Sequence, residues 1–326
     1  MSTSTLTNVP LQGNLLGNLP VVAKRRKPLK HLLVALLLSM LFFIIFCFMA
    51  LHGFIVLLLS NPHTAAIVSN PYQEKGLQYE NIVFPAIDHS TDLNGWYIPA
   101  DQSKRTIVFS HGYGTNREEP WVKVYDLAQF AHRLNYNVIL FDYGFASATH
   151  KTAATGGKTE SRQLLGAVHY AKQRGAEQVL VWGFSMGAGT ALQAALQTDE
   201  IDAMILDSMF LPEPDTIYHN IEQYIDLPRD LSITMLRLFF PLLSGTGLQQ
   251  IPYEQVKHTD YPMPILFIHS TRDDKAPYTI AEQIAANQTN PSSGVWIAED
   301  ALHEMIFQQN ARQYLSRTAS FLSSIH

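Results

Sequence analysis

The sequence predicts an α/β protein: a mostly parallel central sheet with helices on both faces, a helical insertion, and one transmembrane helix ahead of it. Three observations carry this expectation. Short, continuously apolar runs alternate with helix-period segments over most of the chain, as in a sheet covered on both sides. One such run, Val179 to Trp182, leads into Gly183-Phe184-Ser185-Met186-Gly187 and then into small, helix-favouring residues. Near the N-terminus, Leu32 to Leu51 carries no charge and is long enough to cross a hydrocarbon core of roughly 30 Å.

The chain has 326 residues, 47% of them hydrophobic, enough for one large domain and an appendage. Its net charge of −5 argues against a nucleic-acid partner. The single cysteine, Cys47, lies within the apolar run, so no intrachain disulfide is possible and a thiolate nucleophile is disfavoured there.

In chain order, residues 1–31 read as a basic tail, disordered up to Val22, with Lys24-Arg25-Arg26-Lys27 and Lys30 as its charged cluster. Residues 32–60 read as the anchor, since Phe54 to Leu59 extend the apolar run past His52 and Gly53. A signal peptide has an apolar region of only about 7–15 residues, and Thr64-Ala65-Ala66 is a poor cleavage site, so the helix is expected to stay. The basic flank then places the N-terminus in the cytoplasm and the body on the extracytoplasmic face. Residues 61–77, with Pro62 and Pro71, read as a linker, and residues 78–326 as the folded domain.

Within that domain, Ile82 to Phe84 and Trp96 to Ile98 are expected as strands joined by a turn at Asp92-Leu93-Asn94-Gly95. Strands follow at Thr106–Phe109, Val138–Phe141, Val179–Trp182, Ala203–Leu206, Pro264–Ile268 and Gly294–Ile297. Helices are expected at Trp121–Leu134, Glu160–Arg174, Thr279–Ala286 and Met305–Leu322. About residues 209–262 exceed what one α/β connection needs, and apolar stretches at Ile217–Ile225 and Met235–Phe240 suggest a helical cap. Such an insertion belongs over the C-terminal strand ends, where open α/β sheets bind ligands.

The chemistry starts at Ser185. A strand–turn–helix context around Gly-x-Ser-x-Gly strains the serine backbone and lifts its hydroxyl above the sheet edge. Gly183 and Gly187 let strand and helix approach closely, and the Met186 N–H opens the following helix as an oxyanion donor. Ser110-His111-Gly112-Tyr113-Gly114 follows an earlier strand, and its glycines allow the Tyr113 N–H to serve as a second donor. A base and an orienting acid are required as well. His303, on the loop before the last helix, is the expected base; His132, His169, His219, His258 and His326 read as surface residues. Asp273 is the expected acid, with its neighbour Asp274 as the alternative and Asp207 a weaker candidate. No Asp/Glu/His cluster stands at metal-ligand spacing, so neither metal nor cofactor is expected.

Taken together, His111-Gly112-Tyr113-Gly114, Gly183-Phe184-Ser185-Met186-Gly187, Asp273 within Ser270-Thr271-Arg272-Asp273-Asp274-Lys275-Ala276-Pro277, and His303-Glu304 carry a resemblance. From Gln78 to Phe321 the chain resembles the α/β-hydrolase superfamily, near its membrane-associated, BEM46-like and serine-aminopeptidase-like branch. It departs from that pattern at Asp142-Tyr143-Gly144-Phe145, where Asp-x-Arg-Gly is usual, and at Ser270, where glycine is usual. The resemblance implies a Ser185-Asp273-His303 triad acting on a small or lipid-like acyl ester or thioester. Peptidase or acyl-transfer chemistry with the same triad, and a non-catalytic membrane-anchored binding protein, are the competing expectations.

Overall fold

The computed structural model describes Met1 and residues 29–325; the cluster Lys24 to Lys27, the tail read as disordered and His326 lie outside the described residues. The chain divides into two compact units, Met1–Phe48 and Met49–His326. Among the described residues one helix, α1 (Leu29–Ser60), is 32 residues long, holds an 18-residue stretch with a mean hydropathy of 3.0, and is long and apolar enough to cross a membrane. Its closing turns belong to the second unit. There His52, Val56 and Ser60 recur at helical spacing and are buried, and Val56 packs in one apolar cluster with Ile217, Ile221, Leu236 and Phe240.

The second unit is built on an eight-stranded sheet in the order β1-β2-β4-β3-β5-β6-β7-β8. Strands β1 (Glu80–Pro85) and β2 (Asp92–Ile98) pair antiparallel, and β2 runs antiparallel to β4 (Asn137–Phe141). The rest, β3 (Arg105–Ser110), β4, β5 (Gln178–Phe184), β6 (Ala203–Asp207), β7 (Ile265–Ser270) and β8 (Gly294–Ala298), are parallel. The expected turn at Asp92–Gly95 is instead the start of β2, and the hairpin turns earlier. The Asp88 carboxylate accepts from the Ser90 N–H at 3.1 Å and His89 sits at φ 56°, a local side-chain-to-backbone turn.

Apolar strands separate into two layers because successive side chains point to opposite faces. Val108, Ile139, Val181, Leu206 and Phe267 meet α4 (Lys158–Gln173), α5 (Met186–Ala195) and α9 (Tyr278–Ala286) on one face. On the other face Phe109, Leu140, Trp182, Ile205 and Ile268 meet α3 (Val124–Arg133) and α10 (Ile306–Ser324). Helix α3 begins later than the expected Trp121, because Trp121 to Lys123 form turns rather than helix.

The segment read as a linker holds a short helix, α2 (Pro71–Lys75), capped by the Asn70 side chain. It is tied to the body: the Glu118 carboxylate accepts from the N–H groups of Val68 at 2.8 Å and Ser69 at 2.7 Å. Between β6 and β7 lie α6 (Pro214–Glu222), α7 (Arg229–Leu243) and α8 (Tyr253–His258). Helix α6 sits by the loop that follows β7, where the Asn220 amide donates to the Lys275 carbonyl at 2.8 Å. Val256 of α8 instead packs with the α5 and α9 layer, so the insertion splits between the strand ends and the sheet flank.

Candidate active site

Ser185, Asp273 and His303 lie on loops at the C-terminal ends of the parallel strands. Ser185 follows β5 directly, at φ 48° and ψ −120°, a conformation costing on the order of 1–3 kcal/mol. Backbone hydrogen bonds hold it there. Its N–H donates to the Asp207 carbonyl at 2.9 Å, and its carbonyl accepts from Phe210 at 3.0 Å and Ala188 at 3.1 Å. A Cβ on Gly187 would stand 2.0 Å from the Ser110 carbonyl oxygen, so no other residue fits without moving backbone. Gly187→Ala should therefore lower stability by about 3 kcal/mol, read as a fall in urea midpoint at unchanged slope.

His303 Nε2 lies 2.8 Å from Ser185 Oγ, and its Nδ1 lies 2.7 Å from Asp273 Oδ2. The Asp273 carboxylate is fully buried, whereas the Asp274 side chain is 51% exposed and faces Lys275. The structure therefore brings Asp273, not Asp274, to the imidazole. Burial acts against the Asp273 charge, yet hydrogen bonds from His269 and His303 outweigh it and hold the carboxyl below its ordinary range. Burial likewise acts against a protonated His303. The Asp273 hydrogen bond and the charges of Glu304, Asp273 and Asp207 overcome that and raise its pKa. Asp207 is turned away from the imidazole. Its oxygens accept from Tyr314 Oη at 2.8 Å and Ser208 Oγ at 2.9 Å, and burial pushes its pKa up to about 6.

Met186 is the first residue of α5, whose leading N–H groups have no acceptor within the helix. The Tyr113 N–H meets no acceptor among the described residues. Its direction follows from His111. The Tyr143 N–H donates to His111 Nε2 at 3.0 Å, so the proton of the neutral ring is on Nδ1, which donates to the Gly112 carbonyl at 2.8 Å. Burial favours that neutral form, bringing the His111 pKa down to about 4. In a planar trans peptide the C=O and N–H point oppositely, so holding the Gly112 oxygen aims the Tyr113 N–H the other way. The Tyr113 phenol reaches the end of α1, donating to the carbonyls of Leu58 at 3.1 Å and Leu59 at 2.9 Å.

Sequence reasoning missed several supporting groups. His269, fully buried, places Nε2 3.1 Å from Asp273 Oδ2. Ser270 Oγ accepts from the Ala301 N–H at 3.1 Å, which ties the acid loop to the histidine loop where the usual glycine could not. Asp142, standing in the departing loop, binds Arg117 at 2.7 Å. Glu119 was unmarked in the sequence, yet it accepts from the Gly112 N–H at 2.7 Å.

This arrangement of sheet, elbow and loops is the α/β-hydrolase fold. A family model described as alpha/beta hydrolase fold matches residues 105–243. An esterase of Pyrococcus furiosus, Pf2001, superposes with a TM-score of 0.64 at 22% identity, covering 81% of this chain and 99% of that one. An uncharacterized Bacillus subtilis protein, YqkD, is 25% identical over 249 residues, 72% of this chain and 76% of its own length. A lysophosphatidylserine lipase of Macaca fascicularis, ABHD12, is 26% identical over 204 residues, 58% of this chain and 47% of the lipase.

Proposed function

We propose that the protein is a membrane-anchored serine hydrolase that cleaves acyl esters or thioesters through Ser185, His303 and Asp273. The observation that carries this reading is the continuous relay from Asp273 Oδ2 through His303 to Ser185 Oγ, with both hydrogen bonds at 2.8 Å or less. Neutral His303 takes the Ser185 proton at Nε2 as Oγ attacks the acyl carbonyl carbon. The Met186 and Tyr113 N–H groups stabilise the oxyanion, and Asp273 stabilises the imidazolium. Collapse breaks the bond to the leaving oxygen or sulfur, which receives the proton from His303. Water, losing its proton to His303, then attacks the acyl-enzyme and releases the carboxylic acid and Ser185. An esterase and a lipase among the similar proteins support acyl esters, and the chain needs no cofactor for these steps. Helix α6, whose Asn220 bonds to the loop bearing Asp273, is the part of the insertion that would act as a cap. Hydrolysis of a chain-length series of acyl esters by the full-length protein tests the reading. Turnover without Ser185-dependent fluorophosphonate labelling would overturn it.

The anchor is the second half of the proposal: α1 spans a membrane with the N-terminus cytoplasmic and the hydrolase unit extracytoplasmic. Carbonate washing should leave the protein in the membrane, because a 32-residue apolar helix exceeds what a reversible surface anchor provides. A reporter that matures only outside the cytoplasm should be active when fused after the C-terminus. Recovery of the intact chain in the soluble fraction would sink the anchor and leave the hydrolase reading intact.

A further inference from the structure

Two buried glutamates beside Ser185 play no part in the relay. Glu119 Oε1 accepts from the Gly112 N–H at 2.7 Å, and Glu304 Oε2 accepts from Trp121 Nε1 at 2.6 Å. Each carboxyl has one oxygen left over, Glu119 Oε2 and Glu304 Oε1, and no N–H or O–H of another residue reaches either among the described residues. The two carboxyl groups converge on the space beside Gly112, close enough that the Glu304 charge opposes ionisation of Glu119. Two carboxylates are acceptors only, so their leftover oxygens can bond to each other only when one of them carries a proton. A Cβ on Gly112 would stand 2.6 Å from Glu304 Oε1, 2.8 Å from Glu119 Oε1 and 3.4 Å from Ser185 Cβ, so the pair lies against the nucleophile. Both residues also sit at positive φ, 29° for Glu119 and 60° for Glu304, backbone strain that the surrounding structure must hold in place.

From these contacts we infer that Glu119 and Glu304 are positioning residues that share one proton and clamp the Gly112–Tyr113 loop to the loop bearing His303. Glu119 grips the N–H of the residue before the Tyr113 donor, and Glu304 is the covalent neighbour of His303. Losing the shared proton leaves two charges facing each other in a dry site, and the two loops part. Other titratable groups bear on the pair: the Asp207 and Asp273 charges oppose its ionisation, while His303 favours a charged Glu304. Burial is the largest influence on both and raises both pKa values, Glu119 most strongly. A carboxyl raised in the folded state adds stability below its unfolded value, and that stability is lost as pH rises through the folded value. Activity and stability should thus share an alkaline limb.

The activity readout rests on the hydrolase reading; the stability readout does not. Full-length wild type, Glu119→Gln, Glu304→Gln and Glu119→Ala are compared in detergent from about pH 6 to about pH 10. The measurements are kcat/KM for p-nitrophenyl butyrate and Tm. A glutamine at either position supplies the N–H that the shared proton now supplies. Each glutamine variant should keep neutral-pH activity within about 3-fold and lose the alkaline limb in both readouts, while Glu119→Ala should lose about 10–100-fold in kcat at every pH. An alkaline limb unchanged in both glutamine variants, or Glu119→Gln as impaired as Glu119→Ala, overturns the clamp. If wild type shows no Ser185-dependent turnover, the hydrolase reading fails and Tm still decides. A pH-dependence of Tm that Glu119→Gln leaves in place then overturns the clamp. Should Glu119→Ala not fold, the alkaline limbs of the two glutamine variants decide between clamp and no clamp.

Discussion

Ser185→Ala should abolish ester hydrolysis and fluorophosphonate labelling, a fall on the order of 10⁵–10⁶ in kcat, with stability changed by less than about 1 kcal/mol. The serine conformation is fixed by its backbone bonds to Asp207, Ala188 and Phe210, none of which involves the hydroxyl. Among the described residues its Oγ has one partner, His303 Nε2 at 2.8 Å, so removing it deletes the attacking atom and little else. His303→Ala should fall almost as far. Groups that act as a unit are not additive, so the double variant should be no worse than either single one. Labelling that persists in Ser185→Ala, or a double variant far below both singles, would place the nucleophile elsewhere.

How much of this site was legible in the sequence depends on how local its physics is. Around Ser185 the restriction is within a few residues: strand, turn and helix must meet without a Cβ at Gly183, which would stand 2.6 Å from the Ala188 Cα, so the pattern itself states the geometry. His303 and Asp273 were legible by their place on loops after late strands. The supporting groups were not. Glu119 stands in Arg117-Glu118-Glu119, three charged residues in a row that match no motif, and all three side chains are buried. Only the folded chain brings Glu119 to Gly112 and Glu118 to the segment read as a linker. The misplaced hairpin turn has the same origin. Gly95 read as a turn residue, but it lies in β2 because a Cβ there would come 2.8 Å from the Leu140 carbonyl of the adjacent strand. Residues whose role is set by a distant strand leave no periodic or spacing signal.

Asp273→Asn should lower kcat/KM by about 10³–10⁴-fold at neutral pH, and Asp274→Asn by less than about 2-fold. Asp273 Oδ2 accepts from His303 Nδ1 at 2.7 Å and lies 3.1 Å from His269 Nε2, whose N–H also donates to the Ala276 carbonyl at 3.1 Å, while Oδ1 accepts the N–H groups of Lys275 at 2.9 Å and Ala276 at 2.8 Å. Asparagine can satisfy the backbone donors with its oxygen. Its NH₂ then meets two imidazole N–H groups, so His303 must take the tautomer that presents N–H, not a lone pair, to Ser185. The same substitution removes a charge that raises the His303 pKa. The base form of wild-type His303 is present only above that raised pKa, so activity falls as pH drops through it. Without the Asp273 charge the acid limb of kcat/KM should move to lower pH, even as the plateau falls. Asp274, half in solvent and 3.7 Å from Lys275, has no route to the imidazole, and its variant should keep both plateau and limb. A profile in which Asp274→Asn moves the acid limb and Asp273→Asn does not would assign the acid to the other neighbour.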